Sequence, residues 1–216
     1  MKWLTNNIKE FEGAIFDVDG VLLDSMKIWD EVGIRYLRKM NRIPSVTLNE
    51  DLSTLSLEQG AAYLKKEYDL ECSKQEILEG VLQIIEDFYV YEAPLKKNVK
   101  EILKLLKKNS IKMIIASSSD KELIRKALTR LNVDSYFEDI CTCSAYNTSK
   151  TKPDLYFLCS QKINTPISKT LVFEDALHAI ETCVKAGFPV IGVYDESSEK
   201  QKETIKQICT HYLEDL

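Results

Sequence analysis

Ala14-Ile15-Phe16-Asp17-Val18-Asp19-Gly20-Val21 is the stretch of sequence that decides the fold. Its first residues form a short apolar run, which is typical of a buried strand, and two aspartates and a glycine follow. Comparable apolar runs that end in polar or acidic residues occur at 111–116, 140–142, 171–173 and 190–193. Because nearly continuous apolar strands are typical of parallel sheets covered on both faces, these runs predict one parallel sheet.

Helical patterns lie between most of the predicted strands, at 97–108, 120–131, 153–162 and 176–186. The second pattern is expected to begin at a capping box formed by Ser119 and Glu122, and the last is expected to end at Gly187. Strands that alternate with helices predict an α/β protein with a Rossmann-like, doubly wound parallel sheet. Residues 208–216 are expected to add a strand at the edge of this sheet.

The alternation of strands and helices is interrupted between residues 24 and 93, where no strand pattern is convincing. Capping boxes at Ser56-x-x-Gln59 and Ser73-x-x-Glu76 predict two helices, and 77–89 carries apolar residues on two faces. A further helical stripe comprises Ile28, Trp29, Val32, Tyr36 and Met40. We therefore predict an all-α helical-bundle domain at 24–93, inserted into an α/β domain formed by 1–23 and 94–216.

The composition is that of an ordinary globular protein, with 216 residues, 44% apolar residues and a net charge of −5. The negative charge argues against nucleic acid or an anionic membrane as a partner. The lysines between 96 and 108 alternate with apolar residues and are expected to form a solvated helix face.

Without a spanning apolar stretch or a secretory signal, the protein is expected to be cytoplasmic. We further expect a monomer, with six reduced cysteines and no disulfides.

Polar side chains follow the predicted strands, at the edge of the sheet where open α/β proteins bind ligands. These residues are Asp17, Asp19, Ser117, Ser118, Ser119, Glu174 and Asp175, and Lys150 lies in the loop before a predicted helix. Carboxylates gathered in one place repel one another unless a cation neutralises them. Mg²⁺ is the expected cation, since it prefers oxygen ligands and is commonly held by carboxylates together with a substrate phosphate.

A magnesium site at this edge predicts phosphoryl chemistry. With the carboxylate charges screened, Asp17 can attack phosphorus and form an aspartyl-phosphate. Asp19 can then protonate the leaving oxygen and later activate water. A plain helix-capping role for Asp17 is the competing interpretation, and the polar residues that follow the other strands in order argue against it.

The residues Asp17-x-Asp19-Gly20-Val21, Ser117, Lys150 and Glu174-Asp175 resemble the four motifs of the haloacid dehalogenase superfamily. The helical insert resembles the helical cap of that family, as in phosphatases and mutases of the beta-phosphoglucomutase type. The resemblance implies that Asp17 is the nucleophile and that Asp19 is an acid/base whose backbone carbonyl also binds Mg²⁺. It further implies that Ser117, Ser118 and Lys150 bind the phosphoryl group and that Glu174 and Asp175 complete the metal site.

The motif lysine has two candidates, Lys150 and Lys152. The family pattern Lys-x-x-Pro-Asp-x-aromatic, placed on Pro153, Asp154 and Tyr156, selects Lys150. Lys152 is the alternative.

The reaction also has alternatives. Mutases of the beta-phosphoglucomutase type carry a histidine at the position of Trp29 and a cap arginine near Ser56, where this chain has Leu57. Both departures favour a phosphatase that acts on small phosphate monoesters of the sugar-phosphate or nucleotide type. The alternatives are a beta-phosphoglucomutase-like mutase and a catalytically silent protein that binds a phosphorylated metabolite.

Overall fold

The computed structural model describes residues 2–53 and 55–215. Contacts between residues divide the chain into two compact units. The first, here called the core unit, comprises residues 1–24 and 93–216, and the second, the helical unit, comprises residues 25–92. In the described residues, no helix is both long enough and apolar enough to cross a bilayer.

The core unit contains a parallel sheet, for which the described residues supply six strands. They are β1 (Gly13–Phe16), β2 (Lys112–Ser117), β3 (Ile140–Thr142), β4 (Thr170–Glu174), β5 (Val190–Val193) and β6 (His211–Leu213). Their order is β3-β2-β1-β4-β5-β6, and every neighbouring pair is parallel. The predicted doubly wound α/β fold is confirmed, and β6 is the edge strand expected within 208–216.

Helices connect the strands of the core unit and form the helical unit. In chain order they are α1 (Lys2–Asn7), α2 (Lys27–Lys39), α3 (Leu48–Leu52), α4 (Leu57–Glu67), α5 (Lys74–Asp87), α6 (Val99–Lys108), α7 (Lys121–Arg130), α8 (Asp154–Lys162), α9 (Leu177–Lys185) and α10 (Lys202–Ile208). A π-helical segment, Phe88–Glu92, follows α5.

The core of the α/β unit forms where central strands meet helices. Ile15, Ile114 and Val172 from adjacent strands are fully buried and belong to one apolar cluster with residues of α8 and α9. Phe16 stacks on Phe173 with ring centroids 4.3 Å apart. Burial of such side chains supplies the main driving force for folding, at roughly 1.5–3 kcal/mol for each large apolar group. This packing fixes the strand ends that carry the acidic residues.

Helix α6 shows how the apolar pattern and the lysines divide between two faces. Its buried residues are Val99, Ile102, Leu103 and Leu106, whereas the lysines within the helix are exposed. Asn98 precedes the helix with φ 64°, a left-handed conformation that asparagine tolerates better than most residues. The expected solvated face is wrong for Lys96, which lies before α6 and pairs with Asp195 through an ammonium 2.9 Å from Oδ2.

The helical unit has the helix starts that its sequence predicts. Ser56 and Ser73 each cap a helix, α4 and α5, and each forms a complete capping box with the glutamine or glutamate three residues later. In α2, the stripe residues Ile28, Val32 and Tyr36 are buried, but Trp29 is 45% exposed. No strand forms within the described residues of 25–92.

Helix α5 and the π-helical segment after it bury residues of both apolar faces. Ile77 and Val81 of the first face are buried, as are Ile85 and Tyr89 of the second. Leu82 of the second face is 46% exposed, so that face is buried only in part. The six cysteines are free thiols, and Cys141, Cys143, Cys159 and Cys183 are buried.

Candidate active site

The parallel register of the sheet brings the sequence motifs to one edge. Phe16 of β1 pairs with Ile115 of β2 on one side and with Phe173 of β4 on the other. Asp17 therefore leaves the sheet beside the residues that end both neighbouring strands. Its amide donates to the carbonyl of Phe173 at 3.0 Å, which fixes the backbone where the acidic loop begins.

Lys150 joins two carboxylates of this edge. Its ammonium lies 2.5 Å from Oδ1 of Asp17 and 2.9 Å from Oε1 of Glu174, and at most 9% of each of the three side chains is exposed. Lys152, the alternative motif lysine, is exposed to solvent. The geometry thus favours Lys150 as the partner of Asp17.

A third carboxylate completes a cluster that could hold a metal ion. Asp17, Glu174 and Asp175 each offer an oxygen, and these oxygens all lie within 4.8 Å of one another. The carboxylate of Asp19 is not part of this side-chain cluster. If all three groups are ionised, three negative charges face the single positive charge of Lys150.

The electrostatics of the cluster are unfavourable without a further cation. Burial raises the pKa of Asp17 despite the opposing effect of Lys150. Burial and the charge of Asp17 raise the pKa of Glu174 well above its ordinary value and that of Asp175 to about 7. Oε2 of Glu174 is buried and has no hydrogen-bond partner among the described residues. A hard divalent cation such as Mg²⁺ fits this donor set, because it takes oxygen ligands and offsets their repulsion.

Asp19 is held by a residue that the sequence assigned to another role. The hydroxyl of Ser119 donates to Oδ2 of Asp19 at 2.6 Å, and the amide of Ser119 donates to Oγ of Ser117 at 3.1 Å. The cap of α7 is instead Asp120, whose carboxylate accepts from the amides of Glu122 and Leu123. The predicted capping box at Ser119 is therefore wrong.

The two other serines of this run differ in environment. Ser117 is the last residue of β2 and is 1% exposed. Ser118 is exposed, and its hydroxyl lies 3.5 Å from the sulfur of Cys143. The run of three serines gave no signal that could separate these roles, because the direction of each side chain depends on how the strand ends.

Gly20 allows the acidic loop to approach Asp175 closely. It adopts φ 76°, and a Cβ built on it would lie 2.3 Å from Oδ2 of Asp175. A side chain at this position would therefore collide with the carboxylate cluster. The glycine of the Asp17–Gly20 loop is required both by its backbone conformation and by this contact.

The helical unit contains a cavity of its own, of about 300 Å³. Trp29 and Leu57 both line it, together with mainly apolar residues and with Asp30, Asn49, Ser53 and Ser56. No lysine, arginine or histidine is among its described lining residues. The two positions at which the chain departs from the mutase pattern thus share one cavity.

The fold and the acidic site define a class of protein. A family model, haloacid dehalogenase-like hydrolase, matches residues 14–193, and the chain belongs to this family. The matched range begins one residue after the start of β1 and ends with β5, so it includes the site residues and the helical unit.

Relatives within the family share about a quarter of their residues with the chain. A phosphorylated carbohydrates phosphatase from Thermotoga maritima is 26% identical over 82% of this chain and 82% of its own length. A fructose-1-phosphate phosphatase from Escherichia coli is 26% identical over 86% of this chain and 97% of its own. A crystal structure from Thermotoga maritima, described as a candidate beta-phosphoglucomutase, superimposes with a TM-score of 0.84 at 22% identity and covers 94% of both chains.

Proposed function

We propose that the protein is a Mg²⁺-dependent phosphatase that hydrolyses small phosphate monoesters through a phosphorylated Asp17. The observation that carries this proposal is the buried cluster of Asp17, Glu174 and Asp175 with the ammonium of Lys150 against Asp17. The cluster combines a nucleophile, a fixed positive charge and oxygen ligands for a metal ion in one place.

Asp17 is the proposed nucleophile. Lys150 keeps a positive charge 2.5 Å from its carboxylate, which favours the ionised form that can attack phosphorus. The same ammonium also offers charge to the phosphoryl oxygens in the transition state, where such stabilisation has its largest effect. Ser117, at the end of β2, is the proposed hydrogen-bond donor to the transferring group, with Ser118 next to it.

Asp17, Glu174 and Asp175 would hold the ion through their carboxylates, and Asp19 through its backbone carbonyl. Mg²⁺ bound there supplies charge neutralisation, which lets an anionic nucleophile approach an anionic phosphate. The unpartnered Oε2 of Glu174 and the raised pKa values of the cluster support this assignment.

Asp19 is the proposed general acid and base. It would protonate the leaving oxygen when Asp17 attacks and would take a proton from the water that hydrolyses the aspartyl-phosphate. The hydroxyl of Ser119, 2.6 Å from Oδ2, orients the carboxylate of Asp19 for this role.

The proposed substrate class and reaction rest on the named relatives and on two positions at which this chain differs from the mutases. Relatives named as phosphatases of phosphorylated carbohydrates, hexitol phosphates and fructose 1-phosphate support a small phosphorylated metabolite as the substrate. Trp29 and Leu57 stand where mutases carry histidine and arginine, which supports transfer of the phosphoryl group to water. The helical unit, predicted as a cap at 24–93, is proposed to set substrate specificity.

Phosphate release from p-nitrophenyl phosphate and from a panel of sugar phosphates and nucleotides tests this function. We expect turnover with Mg²⁺, little turnover with a chelator, and none for Asp17→Asn. Asp215→Asn is the matched control, since that carboxylate is 62% exposed and should be dispensable. Conversion of beta-glucose 1-phosphate to the 6-phosphate without free phosphate would instead establish a mutase. Absence of turnover on the whole panel would favour a catalytically silent binding protein.

A further inference from the structure

Lys96 contacts the acidic loop from outside the family's motifs. Its amide donates to the carbonyl of Leu22 at 2.9 Å, and its ammonium donates to the carbonyl of Gly20 at 2.8 Å. The same ammonium donates to the carbonyl of Tyr194 and to Oδ2 of Asp195. Because an ammonium has three N–H groups, these acceptors use its full donor capacity.

Asp195 is held as firmly as its partner. Its Oδ2 accepts from Lys96, while its Oδ1 accepts from the amide of Ser197 at 3.0 Å and from the hydroxyl of Ser197 at 2.7 Å. The side chains of Lys96 and Asp195 are 16% and 6% exposed. The pair therefore ties the loop after β5 to the turn that follows Asp19.

Gly20 connects the pair of Lys96 and Asp195 to the proposed metal site. Its amide donates to the carbonyl of Leu23 at 3.0 Å, and its carbonyl accepts from Lys96, so both backbone polar groups are engaged. A Cβ built on Gly20 would lie 2.3 Å from Oδ2 of Asp175 and 3.3 Å from Cγ of Asp195. Gly20 thus packs directly against one proposed metal ligand.

Gly20 also follows the residue whose carbonyl is proposed as a ligand. The peptide that joins Asp19 to Gly20 carries this carbonyl, so a rotation of Gly20 re-aims it. A metal ion that demands near-ideal octahedral geometry tolerates little such rotation.

We infer that Lys96 and Asp195 form a positioning pair that fixes the turn after Asp19 and so sets the geometry of the Mg²⁺ site. This inference rests on the proposed function for the identity of the ion. Neither side chain touches the reacting atoms. Outer contacts of this kind orient the ligands, and their loss typically lowers metal affinity by roughly 10–100-fold.

A buried ion pair can also serve stability alone, and the two roles differ in a measurable way. If the pair only stabilises the fold, removing both charges together should restore both the melting temperature and the Mg²⁺ affinity, because no uncompensated charge is left. If the pair positions Gly20, the double variant still lacks the donor to the Gly20 carbonyl. Its metal affinity should then stay low even when its thermal stability recovers.

The variants are Lys96→Met, Asp195→Asn, the double variant that combines them, and Lys96→Arg. Lys97→Met is the matched control, since Lys97 is the adjacent lysine and makes an exposed ion pair with Asp215. Three quantities are measured for each purified full-length protein: the Kd of Mg²⁺ by calorimetry without substrate, kcat at saturating Mg²⁺, and the melting temperature.

We expect Lys96→Met to raise the Kd of Mg²⁺ about tenfold and kcat to recover in large part at saturating Mg²⁺, because the ligands themselves are unchanged. The double variant should melt at a higher temperature than Lys96→Met yet keep the weakened Mg²⁺ binding. Lys96→Arg should bind more tightly than Lys96→Met, and Lys97→Met should match the wild type.

A Kd within twofold of the wild-type value for both Lys96→Met and the double variant would overturn the inference. If Lys96→Met does not fold, the Kd of Mg²⁺ is compared with the wild-type value for the double variant and for Lys96→Arg instead. A double variant that binds Mg²⁺ within twofold of the wild type would then overturn the inference. Failure of the proposed function is recognised separately, because it shows as Mg²⁺ binding without phosphate release in the wild type.

Discussion

The ammonium of Lys150 lies 2.5 Å from Oδ1 of Asp17, and the same nitrogen lies 2.9 Å from Oε1 of Glu174. One buried cation therefore serves two buried carboxylates, while Asp175 adds a third to the cluster. Uncompensated charge in a buried site is unfavourable, and the shifted pKa values of these groups express that cost. This unfavourable charge cluster lies where the family resemblance predicts the catalytic site.

Replacing Lys150 tests its double contact. Lys150→Met should lower turnover about a thousandfold, because a positive charge aimed at the reacting phosphoryl group is lost. It should also lower the free energy of unfolding by about 3 kcal/mol, since the buried carboxylates lose their partner. Lys152→Met is the control and should change the stability by less than about 0.5 kcal/mol. Turnover assays and urea denaturation measure both effects, and an inactive Lys152→Met beside an active Lys150→Met would reverse the assignment.

The acidic cluster predicts an inverse dependence of stability on pH for the metal-free protein. Burial and Asp17 raise the pKa of Asp175 from 3.8 to about 7 in the folded state. Between these values the folded protein holds a proton that the unfolded chain has released, so the free energy of unfolding falls as the pH rises. The slope is at most about 1.4 kcal/mol per pH unit for this group.

Excess Mg²⁺ should weaken or reverse this trend, because metal binding requires the deprotonated carboxylates and strengthens as the pH rises. Urea denaturation at about pH 5 and about pH 7, with chelator or with Mg²⁺, measures the effect. Asp175→Asn should flatten the slope in chelator. A metal-free protein whose stability rises steadily across this range would contradict the prediction.

Ser119 and Asp120 are neighbours with separable roles. Ser119→Ala should lower kcat about tenfold, because Asp19 loses a hydrogen bond to a charged group, and should leave α7 intact. Asp120→Ala should lower the free energy of unfolding by about 1 kcal/mol through loss of the helix cap, with kcat unchanged. Steady-state kinetics and thermal unfolding of both variants measure these outcomes, and equal effects of the two changes on kcat would refute the division of roles.

Gly20 and Gly187 both adopt positive φ, at 76° and 89°, but only Gly20 meets a carboxylate. Gly187→Ala should lower the free energy of unfolding by about 1–2 kcal/mol from backbone strain and leave turnover unchanged. Gly20→Ala carries the same strain and also displaces Asp175, so turnover should fall about a hundredfold. Melting temperatures and phosphate release are the measurements, and a Gly20→Ala enzyme with normal turnover would show that the close approach is unimportant.

Local features of the sequence were sufficient for much of the fold. Apolar runs predicted the strands, and the capping boxes at Ser56 and Ser73 predicted two helix starts, because these signals involve residues only a few positions apart. The order of acidic residues after the strands also predicted that Asp17, Asp19, Glu174 and Asp175 meet at one edge, and the carboxylates of all but Asp19 form one cluster there. This was possible because parallel strands place their carboxyl ends at the same edge of a sheet.

The roles of individual side chains in the loops needed the tertiary structure. The spacing of the residues left both Lys150 and Lys152 as candidates for the motif lysine. It also assigned Ser119 to a helix cap and placed Lys96 on a solvated face. Each of these roles depends on groups that are distant in the chain. Ser119 donates a hydrogen bond to Asp19, 100 residues away in sequence, and Lys96 donates one to Asp195, 99 residues away. The sequence by itself determined which chemical groups line the sheet edge, because periodicity is local. Only the packed structure decided which of them touch, because long-range strand pairing sets those distances.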